Sequence, residues 1–158
     1  TTSLCLLEKI GCGNYGNVYR ARDKSGNCCA VKLLPASGYA DLVIKLWEGK
    51  ILEQLDFAHI VKLQDMFFLP KDKDGSFFVY LVMECLDECL ADFIDCRSGR
   101  HPPGHGLDER LVRSFLVQMA RMLKYIHSQK VRDYSVDGAP SGTLIHRDFK
   151  PENILVSH

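Results

Sequence analysis

The sequence predicts an α+β fold, with five short strands around one helix in its first half and helices in its second. Three patterns predict it. Up to Leu34, apolar and polar residues alternate in short runs broken by Gly and Asn, which is the period of half-buried strands. From Asp41 to Asp56 the apolar residues recur at helical spacing. From Leu111 to Ile126 they form a wide apolar stripe of about five turns.

Taken in order, Leu6 to Gly11 reads as the first strand and Asn17 to Arg22 as the second. The turn Lys24-Ser25-Gly26-Asn27 leads into a third strand, Cys28 to Leu34, which Pro35 is expected to stop. On the helix that follows, Ile44, Trp47, Ile51, Leu52 and Leu55 are expected to face the core. Gly49 should weaken that helix by about 1 kcal/mol relative to Ala. Lys62 to Phe68 and Phe77 to Met83 are the last two strands, joined by the polar turn Lys71-Asp72-Lys73-Asp74-Gly75. In the second half, Leu90 to Cys96 suggests a short helix and the Pro/Gly-rich Ser98 to Gly106 a linker. Asp108 reads as a helix N-cap, with Leu107 and Val112 spaced for a hydrophobic staple. The stripe on that helix is Leu111, Val112, Phe115, Leu116, Met119, Met122, Leu123 and Ile126. From Ser128 to Ser141-Gly142 the chain is polar and reads as a surface loop. Apolar character returns at Leu144-Ile145.

Charge and composition exclude several classes. Lys plus Arg and Asp plus Glu number 20 each, so no broad attraction to nucleic acid or an anionic membrane is expected. The longest apolar run, Phe77 to Met83, is far shorter than a membrane span. Thr1 to Leu4 shows no basic region followed by an apolar stretch, so no secretory leader is expected. The seven cysteines are odd in number and contain no C-x-x-C. That argues against a disulfide framework and for reduced thiols in an intracellular, cytoplasmic protein. A zinc set of Cys89, Cys96, His101 and His105 is disfavoured by its wide Cys–Cys spacing and by the surrounding Pro and Gly.

Gly11-Cys12-Gly13-Asn14-Tyr15-Gly16-Asn17-Val18 is a G-x-G-x-x-G-x-V. In a dinucleotide-binding unit such glycines open a helix, and an acidic residue follows about twenty positions later. Here they lead into the strand pattern from Val18 to Arg22, and the residue near that distance is Lys32. A hairpin whose backbone N–H groups approach phosphates fits better than a dinucleotide fold, and an ordinary Gly-rich β-turn is the plainer alternative for this motif alone. Ala30-Val31-Lys32 then lies on the third strand, followed by a helix with two candidate carboxylates, Glu48 and Glu53. Near the end, His146-Arg147-Asp148-Phe149-Lys150-Pro151-Glu152-Asn153-Ile154-Leu155 combines a carboxylate, an ammonium and an amide within six residues. Those groups suit a hydroxyl proton, a phosphate and a metal ion.

These motifs, with the hinge-like Met83-Glu84-Cys85-Leu86, stand in one order along the chain. In that order the chain resembles the eukaryotic protein kinase family over essentially its whole length. Lys150 with Pro151-Glu152-Asn153 is similar to the serine/threonine branch, and the wording of the loop and helices resembles NIMA-related kinases. The resemblance implies a bilobal kinase-like fold. Residues 1–86 would supply the five-stranded N-lobe and hinge, and 87–158 the start of the helical C-lobe. It implies ATP and Mg²⁺ as cofactors and a Ser- or Thr-containing protein as substrate. Counting back from His59-Ile60-Val61, the family's Lys–Glu pair falls on Lys32 and Glu48. Ile10, Gly11, Gly13, Gly16, Val18, Ala30, Met83, Glu84, Leu86 and Leu155 would line the nucleotide site. Asp148 would take the substrate proton, Lys150 would neutralise the γ-phosphate, and Asn153 would hold a metal ion. Leu52, Leu63 and His146 would belong to the family's hydrophobic column.

Two departures from the family stand out. A ribose-contacting polar residue is replaced by Cys89, so that contact passes to Glu88 or is lost. The stretch from Ser128 to Leu144 is longer than the usual connection. An Asp-Phe-Gly and an activation segment would lie past residue 158, so weak or absent activity is expected of these residues alone. The rival expectation is a non-catalytic kinase-like binding module, which predicts an exposed apolar face on the Leu111–Ile126 helix. A nucleotide-dependent oxidoreductase is opposed by the strand after the glycines.

Overall fold

The computed structural model describes residues 3–13, 16–71, 73, 75–98, 107–132 and 140–157. They form two units: Thr1–Asp56 with Val61–Cys85, and Phe57–Ile60 with Leu86–His158.

The first unit is a five-stranded antiparallel sheet and one helix. The strands are β1 (Cys5–Gly13), β2 (Gly16–Arg22), β3 (Cys28–Ala36), β4 (Leu63–Pro70) and β5 (Phe77–Glu84), in the order β1-β2-β3-β5-β4. Helix α1 (Tyr39–Leu52) lies against β3, β4 and β5. Because side chains alternate across a strand, the register assigns the two faces. Leu34 is paired with Val79 and Lys32 with Leu81, and these share the α1 side of the sheet. Leu34, Ala36, Leu42, Val79 and Leu81 make the core there. Val31 and Val82 are paired on the opposite face, where Ala21 and Cys29 join them in a second cluster. The β2–β3 turn is closed by Asp23, whose carboxylate accepts the backbone N–H of Ser25 (2.8 Å) and of Asn27 (2.9 Å). Those bonds hold its carboxyl below the usual range, led by the Asn27 side chain.

Three expectations about this unit are corrected. Pro35 does not stop β3, which continues to Ala36 with Pro35 opposite Phe78. Pairing with β2 ends at Leu33, so a residue without an N–H sits where β3 has only one neighbour. The helix runs Tyr39–Leu52 and not to Asp56, because after it the bonds tighten to three-residue spacing at Gln54 and Leu55. Its inward residues are Leu42, Leu46 and Gly49, whereas Ile44 is 64% exposed. Gly49 is what lets the helix sit close. A Cβ there would lie 2.9 Å from Leu81 Cδ2 and nearer still to Met66 Sδ.

The second unit holds α2 (Leu90–Ser98) and α3 (Glu109–Ser128). It also has two short antiparallel pairs: β6 (Glu88–Cys89) with β9 (Leu155–Val156), and β7 (Lys130–Arg132) with β8 (Pro140–Thr143). Its core is Leu90, Phe93 and Val156, packed by Ile94, Leu107, Leu111, Phe115 and Ile154. Phe93 and Phe115 meet edge to face at 5.7 Å. Asp108 caps α3 as expected, accepting N–H bonds from Arg110 (2.9 Å) and Leu111 (3.3 Å). Leu107 joins the core alongside Leu111, while Val112 is exposed. The polar stretch after α3 is not wholly a loop: β7 and β8 pair Lys130 with Thr143 and Arg132 with Pro140. Residues 133–139 and the expected linker at 99–106, with His101 and His105, lie outside the described residues. Among the described residues no helix is long and apolar enough to cross a membrane.

Candidate active site

Within the first unit the nucleotide-site candidates share one face of the sheet. Val18 is paired with Lys32, and Ala30 with Met83, so all four point to the side that carries α1. The β1–β2 ladder pairs Gly11 with Val18 and closes with Gly13 opposite Gly16. Asn14 and Tyr15 lie outside the described residues. Gly16 is required by the fold itself: its φ is +138°, and a Cβ would run into the Leu33 carbonyl oxygen. Gly13 is different, since a Cβ there would meet nothing within 4 Å. Ile10, just before the first glycine, is exposed.

Lys32 and Glu48 are brought together. The Lys32 ammonium donates to both Glu48 carboxylate oxygens, at 2.7 and 2.9 Å. The pair is only partly buried, 21% and 41% exposed, so its worth lies in aiming the ammonium more than in stability. Glu53, the other candidate, instead accepts from Lys50 at 2.8 Å. At the end of β5, Glu84 is pinned to β4. Its N–H donates to the Lys62 carbonyl (3.1 Å), and its carboxylate accepts the Lys62 N–H (2.8 Å). Leu86 follows in the second unit, half-buried.

In the second unit the residues around Asp148 form a compact cluster. The Asn153 amide donates to the Asp148 backbone carbonyl (2.9 Å) and to its carboxylate Oδ2 (2.8 Å). Lys150 Nζ lies 3.3 Å from Asp148 Oδ1. The Asn153 bond, then Lys150, hold the Asp148 carboxyl below its usual range, so it is an anion at neutral pH. Pro151 opens the 3-10 turn Pro151–Asn153, and the Asn153 N–H bonds to the Lys150 carbonyl, which swings the amide back toward Asp148. Arg147 has φ +62°, an uncommon conformation for a side-chain-bearing residue, at the point where the chain reverses into Asp148. His146, exposed, meets the Phe149 ring edge to face at 5.7 Å.

Sequence reading missed what anchors this cluster. Strand β9 pairs Leu155 with Cys89 and Val156 with Glu88, and Leu90 N–H bonds to the Ile154 carbonyl at 2.7 Å. Leu155 is 44% exposed beside the buried Val156. Cys89, expected only as a departure, caps α2. Its sulfur accepts the Asp92 N–H (3.4 Å), an N-cap made with sulfur, and its thiol donates to Asp92 Oδ2 (3.1 Å). The signal for this was present, with a Cys before the helix and an acidic residue three positions on.

For a divalent cation the donor set is limited but chemically apt. Both Asn153 amide bonds are donated through nitrogen, which leaves its amide oxygen, a hard ligand of the kind Mg²⁺ takes. Among the described residues no group of three His, Cys, Asp or Glu could hold a metal by itself. A cation here would therefore draw most of its ligands from phosphate and water. A polar groove along α3, lined by His59, Asp108, Arg113, Gln118 and Arg121 among others, contains none of the predicted site residues. The glycine hairpin, the strand Lys with its helix Glu, and the Asp-x-Lys-x-x-Asn cluster coincide with one further finding. The family model for the protein kinase domain matches residues 4–158, and the chain belongs to the protein kinase family.

Proposed function

We propose that this chain binds ATP with Mg²⁺ and serves transfer of the γ-phosphoryl group to Ser or Thr hydroxyls of proteins. The observation that carries the reading is the Asp148–Lys150–Asn153 cluster, a carboxylate fixed by an amide and flanked by an ammonium. Lys150 beside the carboxylate, followed by Pro151-Glu152-Asn153, supports the serine/threonine branch over the tyrosine branch. The wider wording of the loop and helices supports a NIMA-related affinity. Reduced thiols support an intracellular, cytoplasmic setting.

In this reading Lys32, steadied by Glu48, neutralises the α- and β-phosphates. Gly13, whose missing side chain the packing does not require, lets backbone N–H groups approach phosphate. Adenine is assigned to Val18, Ala30 and Leu155, with Met83 beside it. Its edge bonds to the Glu84 carbonyl and the Leu86 N–H. Gly11, Gly16 and Ile10 shape the hairpin over the phosphates. A carboxylate as well stabilised as Asp148 is a weak base toward a free alcohol. Its first task is therefore to orient the hydroxyl, and the proton crosses as the new P–O bond makes that oxygen acidic. Lys150 offsets charge on the γ-phosphate, and Asn153 offers its amide oxygen to the cation. Bound Mg²⁺ would supply charge neutralisation between phosphate oxygens.

The test has two parts. Titration with Mg²⁺-ATP should show binding that Lys32→Ala weakens about tenfold, the loss of one charged contact worth about 1.4 kcal/mol. Label transferred from ATP should appear on Ser or Thr, and Asp148→Asn should reduce the rate by about 100-fold or more. Failure to bind nucleotide at millimolar concentration, or label confined to Tyr, would sink the reading. A second reading, a non-catalytic kinase-like module, has one observation in its favour. Helix α3 leaves Val112, Leu116 and Val117 exposed, the last two at 59% and 44%. Absence of nucleotide binding in a folded chain would favour it.

A further inference from the structure

The register of β3 against β5 pairs Cys29 with Glu84, and the next residues in that register are Cys28 and Cys85. They continue the row that carries Lys32 with Leu81 and Ala30 with Met83, so both thiols lie on that face of the sheet. The Cys28 side chain is among the groups that act directly on the Cys85 thiol. Disulfide-bridged residues have Cα atoms about 4.4 to 6.8 Å apart, and Cys28 and Cys85 stand one step beyond the last ladder pair, Cys29 with Glu84, where a small backbone movement brings them within that span. Cys28 is exposed and Cys85 half-buried, so Cys28 is the more open of the two to a small oxidant. Burial first, and then the Cys28 side chain, push the Cys85 thiol above its ordinary range, with the Arg20 guanidinium opposing them. The exposed Cys28 is therefore the sulfur that reacts first, and Cys85 the one that resolves.

We propose that Cys28 and Cys85 form a reversible, peroxide-driven disulfide that ties the start of β3 to the residue following β5. In the first step the Cys28 sulfur, as thiolate, attacks the O–O bond of hydrogen peroxide. It keeps one oxygen as a sulfenic acid, and the other leaves as water with the proton of the thiol. In the second step the Cys85 sulfur displaces that hydroxyl, which departs as water with the Cys85 proton. Two thiols are oxidised, one peroxide is reduced to two waters, and a cellular dithiol restores the pair. Cys85 lies between Glu84 and Leu86, whose backbone groups are assigned to adenine above. This consequence rests on that assignment: the bridge draws Cys85 toward β3, shifts both groups and weakens nucleotide binding.

The experiment treats the 158-residue chain with stoichiometric hydrogen peroxide, traps free thiols, and maps the modified peptides by fragmentation. Fragmentation is needed because Cys28 and Cys29 share one tryptic peptide, and Cys85, Cys89 and Cys96 share another. The expected result is a loss of two hydrogens in mass and a Cys28–Cys85 link, with five of the seven thiols still free. Cys28→Ser should abolish the link, and Cys12→Ser should leave it intact. A link through other cysteines, over-oxidation of Cys28 without a bridge, or seven intact thiols would overturn the proposal. Nucleotide affinity is then compared before and after oxidation. A several-fold loss that dithiothreitol reverses and Cys28→Ser escapes is the expected result, and equal affinity in both states would overturn the switch. If the reduced chain binds no nucleotide, the functional reading fails while the mapped bridge stands.

Discussion

Replacing Gly49 by Ala tests how α1 is held, because two physical terms give opposite signs. On helix propensity alone the change should stabilise by about 1 kcal/mol, since Gly is the poorest helix former after Pro. The packing reverses this. The added methyl would sit 2.9 Å from Cδ2 of Leu81, which is fully buried, and closer still to Met66 Sδ. The Met66 side chain is long enough to swing aside, but Leu81 is enclosed in the core and the helix must yield. Overpacking of this kind costs about 1–3 kcal/mol, so the net expectation is destabilisation near 1 kcal/mol. The chain has one tryptophan, Trp47, two residues away on the same helix, and its fluorescence reports this unit in urea. With a slope of about 2 kcal/mol/M, the midpoint should fall by roughly 0.5 M. Adding Met66→Ala should recover part of the loss. Glu48 immediately precedes Gly49, so the same displacement should loosen the Lys32 pair. A midpoint that rises in Gly49→Ala would refute the close-packing argument.

Other expectations follow from single side chains. Asn153→Ala removes the main bond that lowers the Asp148 pKa, so that pKa should move back up toward 3.8. Followed by carbon NMR of the carboxyl, it should titrate at higher pH than in the parent, and any acid limb of phosphoryl transfer should shift the same way. Asp23→Ala should destabilise the β2–β3 turn at neutral pH. Because the folded-state pKa of Asp23 is depressed, its contribution is present above 3.8 and lost as pH falls through the folded value. Parent and variant should therefore converge in thermal melts at strongly acid pH. Phe93→Ala removes a core ring that is 4% exposed and packed edge to face on Phe115. It should cost about 3–5 kcal/mol in chemical denaturation of the second unit.

The legible parts of the fold are those in which one local rule is uncontested. Alternation located the first three strands, and Asp108 announced α3 because its carboxylate has two free N–H groups to accept. Where the reading failed, a partner invisible in the sequence decided the outcome. Pro35 stays in β3 because β2 has already ended, a fact about the neighbouring strand. On helix α1 the apolar spacing picked Ile44, which is exposed, and passed over Leu42 and Leu46, which join the core. Gly49, read as a weakness, marks the closest approach to the sheet. The β7–β8 pair could not be seen in composition, since its strands are short and polar and carry no period.

The site divides along the same line. Asp148, Lys150 and Asn153 were legible because their neighbourhood in sequence is also their neighbourhood in space. The Lys32 and Glu48 partnership spans 16 residues and could be inferred only from the order of motifs. Glu48 and Glu53 lie about 140° apart around the helix axis, and Glu53, just past the helix end, accepts from Lys50 instead. Least legible was the means by which an exposed carboxylate is held still. Arg147 carries a left-handed backbone that costs on the order of 1–3 kcal/mol, so its surroundings must over-determine it. Those surroundings are the Asp148 N–H on the His146 carbonyl (2.9 Å), the Asn153 amide on the Asp148 carbonyl, and the β6–β9 pair behind them. Asp148 is about half exposed, yet its backbone is fixed on both sides. Exposure leaves it open to a substrate hydroxyl, and the constrained turn spares the site from ordering the carboxylate when that substrate arrives.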